Sequence, residues 1–232
     1  MKYIGTCGYY YYKWVGEFYP SSIMKYHYFD YYANRFNSLE LNSTFYRFPK
    51  LQTMRSWKYK LKNYPGFRLS LKANRIITHK YRLSNGDHVK EFLKNVKVLE
   101  ENLGVILFQL PPGLKYDISL LENFIRYLDP DFKYAFEFRD KSWQRTETFA
   151  LLEIKNISFA ANDFTGDFYY KRCSDFDYVR LHGTGGKYKG SYNDSFFKEL
   201  KNILQEDAFI YFNNTDDNSA FKDAERLKEI LK

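Results

Sequence analysis

Residues 133–143 read KYAFEFRDKSW. Tyr134, Ala135, Phe136 and Phe138 make a short β-forming run. It carries Glu137 near its end and passes directly into Arg139 and Asp140. A segment that is apolar early and polar at its C-terminal end is the pattern of a buried strand whose end faces a site.

The same shape recurs along the chain. Residues 2–6 (KYIGT), 37–42 (NSLELN), 67–72 (FRLSLK), 104–110 (GVILFQL), 157–162 (ISFAAN), 178–182 (YVRLH) and 208–213 (AFIYFN) raise the number of predicted strands to eight. Helical periodicity lies between them. Residues 87–103 place Val89, Phe92, Leu93, Val96, Val98 and Leu99 at helical spacing after an Asn85-Gly86 turn, and 118–128 follow the Pro111-Pro112-Gly113 break. Residues 195–204 and 220–231 close the chain, the latter with Phe221, Ala224, Leu227, Ile230 and Leu231 on one face. After the first and sixth strands, Tyr-rich sequence blurs the period. Eight strands alternating with helices predict an α/β fold, a single (β/α)8 TIM-type barrel covering residues 1–232 as one domain. An open doubly wound sheet asks for a glycine-rich phosphate loop after the first strand, and Gly5-Thr6-Cys7-Gly8 is a poor match to GxGxxG.

Composition narrows the setting. The chain has 232 residues, enough for a substantial core, and no run of 18 apolar residues or signal-peptide pattern, so neither a membrane span nor a secretory leader is expected. Cys7 and Cys173 are isolated, without a CxxC pair. That suits a reducing cytoplasm and argues against a zinc knuckle, while a disulfide between them stays open. The formal charge of +8 is spread along the chain with no polybasic tail, which reads as a solvated lysine surface; a phosphate-bearing partner remains the alternative. Aromatic residues make up 21%, with YYYY at 9–12, and compositional drift toward Tyr, Phe, Lys, Asn and Ile accounts for most of them.

The strand ends hold the chemistry. They carry Thr6, Glu40 with Asn42, Lys72, Gln109, Glu137 with Arg139, Asp163, Arg180 with His182, and Asn213 with Asn214. In a barrel these ends share one face. Glu40 and Glu137 are the candidate acid/base pair, their pKa raised by burial unless a cation sits beside them. The competing reading is that each simply salt-bridges Lys72, Arg139 or Arg180. Lys72 could act as a base or Schiff-base lysine, and His182 joins the catalytic candidates. Arg139 and Arg180 suit a phosphate or carboxylate. Asn42, Gln109 and Asn213 would orient a ligand by hydrogen bonds. Thr44 and Tyr46 belong to a loop roofing the site, and Trp143 either stacks on a ring or caps the following helix. His79 is the second imidazole available, and Asp163 the third acid. A divalent metal would need His182 together with Glu40, Glu137 or Asp163, and no dense ligand set is present. No cofactor is otherwise implied.

The series GTCGYYYYKW (5–14), ELNSTFYRFP (40–49), Lys72 with Thr78-His79, QLPP (109–112), EFRDKSW (137–143), YVRLHG (178–183) and YFNN (211–214) resembles the YecE-like family, also called domain of unknown function seventy-two. The match in order and spacing runs over nearly the whole chain. The resemblance implies a TIM-type barrel with these motifs at its C-terminal face, and no particular reaction. The family usually has Ser and Trp where Cys7 and Tyr9 stand, and often His where Asp140 stands. The leading expectation is a barrel enzyme using acid/base chemistry on a small anionic or phosphorylated, sugar-like substrate. A nucleic-acid binder or metal-dependent repair-type nuclease, and a non-catalytic ligand-binding protein, are the alternatives.

Overall fold

Apolar runs of five residues buried on both faces can satisfy their backbone groups only by pairing side by side, and parallel pairing places a helix between successive strands. The computed structural model, which describes residues 1–186 and 188–232, shows this arrangement. Two sheets form, one of four strands in the order β1-β9-β8-β7 and one of five in the order β2-β3-β4-β5-β6. The strands are β1 (Lys2–Thr6), β2 (Ser38–Leu41), β3 (Arg68–Lys72), β4 (Leu103–Gln109), β5 (Lys133–Glu137), β6 (Ser158–Phe159), β7 (Ala161–Asn162), β8 (Asp177–Leu181) and β9 (Ala208–Phe212). The ladders β1–β9, β9–β8 and β8–β7, and β3–β4, β4–β5 and β5–β6, are parallel.

All eight predicted strands are present, with one change. The expected strand at 157–162 is divided at Ala160 into β6 and β7. The division marks a change of partner, since β6 pairs with β5 and β7 with β8.

The helices are α1 (Tyr28–Ala33), α2 (Ser43–Tyr46), α3 (Leu51–Leu61), α4 (Gly86–Val96), α5 (Ile118–Ile125), α6 (Thr146–Ile154), α7 (Asp194–Ile203) and α8 (Ser219–Ile230). Side chains cap three of those expected from periodicity: Asn85 accepts from the backbone of Asp87 and His88, Asp117 from Leu120, and Asn193 from Phe196. The helix predicted over 87–103 is α-helical to Val96 and continues as a tighter 3₁₀ turn over Lys97–Asn102, kinked at Glu100 with a φ of 48°. Between Asn162 and Asp177, among the described residues, an antiparallel bridge of Asn162 with Tyr169 stands where a helix was expected.

The chain packs as two compact units. The first comprises Met1–Glu40, Ala161–Tyr169 and Phe176–Lys232, and the second Leu41–Ala160 and Tyr170–Asp175. In the first, Trp14, Phe18, Tyr19, Tyr28, Phe29, Tyr32 and Phe36 are buried together with Phe221 of α8. Much of the aromatic excess is therefore core. The Tyr32 hydroxyl ties β1 to β2, accepting from the Thr6 N–H at 2.8 Å and donating to the Ser38 carbonyl at 3.0 Å. In the second unit, Leu69, Leu71, Val105, Leu107, Ala135 and Phe136 make the sheet core.

Gly5 shows how close β1 and β2 lie. A Cβ there would stand 2.0 Å from the Ser38 carbonyl oxygen and 2.8 Å from the Tyr32 hydroxyl. Backbone cannot yield as a flexible side chain can, so overpacking here exceeds the usual 1–3 kcal/mol. Gly5→Ala is expected to lower the melting temperature by ~10 °C or to prevent folding. Gly113→Ala, where an added Cβ meets nothing within 4 Å, should stay within ~2 °C of wild type. Circular dichroism melts of both variants check this, and an unchanged Gly5→Ala melt would contradict it.

Candidate functional site

Side chains two apart on a strand share a face. Along β8 and just past it, Tyr178, Arg180 and His182 are therefore presented together, all buried. Glu40, near the end of β2, lies against them with no exposed surface. Its Oε2 accepts from the Tyr178 hydroxyl at 2.6 Å and from Arg180 Nε at 2.9 Å, while Oε1 accepts from Arg180 Nη2 at 2.9 Å. This is the two-pronged guanidinium–carboxylate geometry that a fixed, dry site favours. Cys7 closes the group: its backbone pairs with Glu40, and Arg180 Nη2 reaches its Sγ at 3.6 Å.

Burial by itself would push the Glu40 carboxyl up. The charge of Arg180 and the hydrogen bonds from Tyr178, Cys7 and Arg180 outweigh it and hold the group below its ordinary 4.5. Burial first, then the Glu40 charge, pushes the Cys7 thiol well above 9.0, and the same two causes raise the Tyr178 hydroxyl. Cys7 is thus a packed thiol and not an activated nucleophile. Both Cys7 and Cys173 are free, so the two form no disulfide.

Beyond Arg180 the network continues. Arg180 Nη1 is 3.4 Å from His182 Nε2. Asp163 Oδ1 accepts from the His182 backbone N–H at 2.7 Å and lies 3.1 Å from its Nδ1. Asp163 Oδ2 accepts from the Tyr192 hydroxyl, which in turn accepts from the Gly183 N–H at 2.6 Å. His182 is held between a donor at Nε2 and an acceptor at Nδ1, which selects the tautomer with its proton on Nδ1.

The second unit holds the other expected residues. Glu137 is buried and ion-paired with Arg139 Nη2, whose side chain is 4% exposed. Lys72 Nζ lies 4.2 Å from the centre of the Phe45 ring, and the His79 ring meets the same Phe45 edge-on at 5.0 Å. His79 sits on a π-helical turn, Ile76–Lys80, with Nδ1 2.8 Å from the Thr78 hydroxyl. Such turns interrupt regular hydrogen bonding and are frequent at functional sites. Burial, then the charges of Lys72, Arg139 and Arg82, hold the His79 imidazole below its ordinary 6.5.

Three expected site residues, and Asp140 beside them, serve their own backbone surroundings. The Thr44 hydroxyl donates to the carbonyls of Leu41 (2.9 Å) and Lys72 (2.7 Å). Gln109 donates to the Leu110 carbonyl. Trp143 is fully buried, stacked on Phe138, with its indole N–H on the Leu114 carbonyl. Asp140 caps the short turn before Trp143 by accepting from the Ser142 N–H at 2.9 Å. Of the others, Tyr46 is exposed, Asn42 lies half-buried just past β2, and Asn213 is anchored by its backbone N–H on the Leu181 carbonyl.

Tyr178 and Tyr192 are absent from the expected set. Tyr178 was legible, standing two residues before Arg180 on one strand face. Tyr192 follows a glycine-rich loop and carried no periodic signal. Among the described residues, no three His, Cys, Asp or Glu side chains gather closely enough to hold a metal ion. No helix among them is long and apolar enough to cross a membrane.

Comparison with known proteins gives a consistent family. The family described as "Protein of unknown function DUF72" matches residues 3–232. The UPF0759 protein YecE of Escherichia coli K12 is 31% identical over 110 residues, 47% of this chain and 40% of that protein. The chain thus spans well under half the length of the curated relatives it matches. The crystal structure of a DUF72 family protein from Thermotoga maritima MSB8 superposes with a TM-score of 0.87 at 26% identity, covering 100% of this chain and 99% of the other. One from Enterococcus faecalis V583 has a TM-score of 0.82 at 16% identity, over 100% and 95% of the two chains, and shares the fold.

The lowered folded-state value of Glu40 has a definite sign in stability. Its contribution is fully present above about pH 4.5, the ordinary value, and is lost as pH falls through the folded value. Glu40→Gln leaves Arg180 buried without its counterion and should cost roughly 3–5 kcal/mol at pH 7. It should also flatten the acid limb of the stability profile. Urea unfolding of wild type and variant at pH 7 and pH 4 measures both, and coincident curves at pH 7 would contradict the assignment.

Proposed function

The chain belongs to the DUF72 family, and from the side chains at its strand ends we propose that it is an enzyme performing proton transfer on a small anionic substrate. His182 is the transferring group and Asp163 its positioning residue. The observation that carries this is the double hold of Asp163 Oδ1 on the backbone N–H and Nδ1 of His182. A histidine fixed in tautomer and orientation by a carboxylate is the arrangement general acid/base chemistry uses. Glu40 and Glu137, each matched to an arginine, serve as counterions that keep the strand ends rigid.

Within the second unit, and as a position of its own, Lys72, Arg139 and Arg82 bear on His79. A phosphate or carboxylate relieves such a collection of like charges. The eight strand positions and the parallel ladders of both sheets support reading the repeat as a (β/α)8 barrel, with the reactive side chains at the strand C-termini. Two free, buried thiols are in keeping with a reducing cytoplasm.

Two measurements test this reading. Turnover of a panel of sugar phosphates and carboxylates, followed by mass spectrometry, should identify a substrate. His182→Gln should then lower kcat by about 10²–10⁴-fold, the range of general acid/base catalysis. Full activity in that variant would remove His182 from the mechanism. Separately, inorganic phosphate should raise the His79 pKa followed by proton NMR, and Lys72→Ala should abolish the response. A His79 titration indifferent to phosphate would contradict an anion at that position.

A further inference from the structure

Beside Asp163, and lined wholly by residues of the first unit, is a cavity of about 670 Å³. Its walls include Phe164 and Phe168 from the loop after β7, Gly183 and Thr184 from the loop after β8, and Tyr192 and Phe196 at the start of α7. The size lies within the range of small-molecule sites.

The chemistry of the lining decides what fits. A glycine-rich loop invites a phosphate, yet the N–H groups of its glycines are already spent. Gly183 donates to the Tyr192 hydroxyl, Gly185 to the Lys189 carbonyl, and Gly186 to the Gly183 carbonyl. Among the described residues, the charged group lining the cavity is the Asp163 carboxylate, which repels an anion. The apolar walls have a specific shape. Phe168 and Phe196 stand at 88° with centroids 5.5 Å apart, and Tyr192 stacks on Phe196 at 4.9 Å and 26°. A corner of two perpendicular rings accepts a flat ring that stacks on one and turns its edge to the other; a puckered ring fills it poorly. Phe164, 44% exposed, adds apolar surface at the rim. Along the polar edge, Asp163 Oδ2 takes one hydrogen bond from Tyr192 and keeps acceptor capacity for another donor.

We infer that this cavity binds a planar nitrogen heterocycle bearing ring N–H or amino donors, the chemistry of a nucleobase. The ring stacks in the Phe168–Phe196 corner and donates to Asp163 Oδ2. The site goes beyond the proton-transfer reading, which names only an anion, and it stands without any turnover.

Isothermal titration of the full chain with adenosine, guanosine, cytidine and uridine tests it, with methyl glucoside as the puckered counterpart. At least one nucleoside should bind, with methyl glucoside far weaker. Phe168→Ala should weaken binding on the order of tenfold, the size of one base–aromatic stack. Phe164→Ala, at a rim position 44% exposed, should also weaken it, and melting curves of both variants verify that they are folded. No nucleoside binding at 10 mM, equal binding of methyl glucoside, or unchanged affinity in folded Phe164→Ala and Phe168→Ala would overturn the inference. Because the readout is binding at residues of the first unit, its failure is separable from loss of turnover in His182→Gln or of phosphate binding in Lys72→Ala.

Discussion

A carboxylate with no exposed surface is costly to keep ionised, and Glu40 is kept ionised chiefly by the charge of Arg180, with hydrogen bonds from Tyr178 and Cys7 beside it. Arg180, itself 1% exposed, meets it with two parallel hydrogen bonds, and Tyr178 supplies a third. Each depends on the other, since either alone would be an uncompensated buried charge. The pairing fixes the face that β8 presents. Once Arg180 points to Glu40, Tyr178 and His182 must follow it by the two-residue period of the strand. The close approach of β1 to β2 at Gly5 and the backbone pairing of Cys7 with Glu40 hold the carboxylate where the guanidinium can reach it.

That constraint redistributes the roles among the polar strand ends. A carboxylate locked by arginine is a poor proton carrier, because its charged form is the one the site stabilises. In the second unit Glu137 is likewise ion-paired, with Arg139 Nη2. In the proposed reading the proton-transfer role falls to the group at the far side of the guanidinium, His182, which Asp163 and Tyr192 hold from the other direction. Arg180, which is hard to bury, serves rigidity, and in that reading the imidazole beside it serves the chemistry.

The strands were legible because apolar runs buried on both faces are hard to mistake. Glu40, Arg180, His182 and Asp163 were legible as polar residues at strand ends, and the chain does bring these four into one network. Their partnerships were not. Whether Glu40 is a base or a counterion depends on a distance of 2.9 Å to a residue 140 positions away, which no local pattern records. Tyr192 reaches Asp163 from beyond an irregular glycine-rich loop. Helix α3 escaped notice because LQTMRSWKYKL buries only Met54 and Leu61, leaving a weak apolar stripe. The division of the sixth strand at Ala160 reflects a change of neighbour, a tertiary fact without a local signal.

His182 is poised between Arg180 and Asp163, and the state of its ring can be read directly. Two-bond nitrogen–proton correlation spectra of protein labelled with ¹⁵N-histidine, with His182 assigned by its loss in His182→Gln, report which nitrogen carries the proton. Neutral His182 should show its proton on Nδ1 and a bare Nε2, and the pattern should change in Asp163→Asn. A ring protonated on Nε2, or one indifferent to Asp163, would contradict the account.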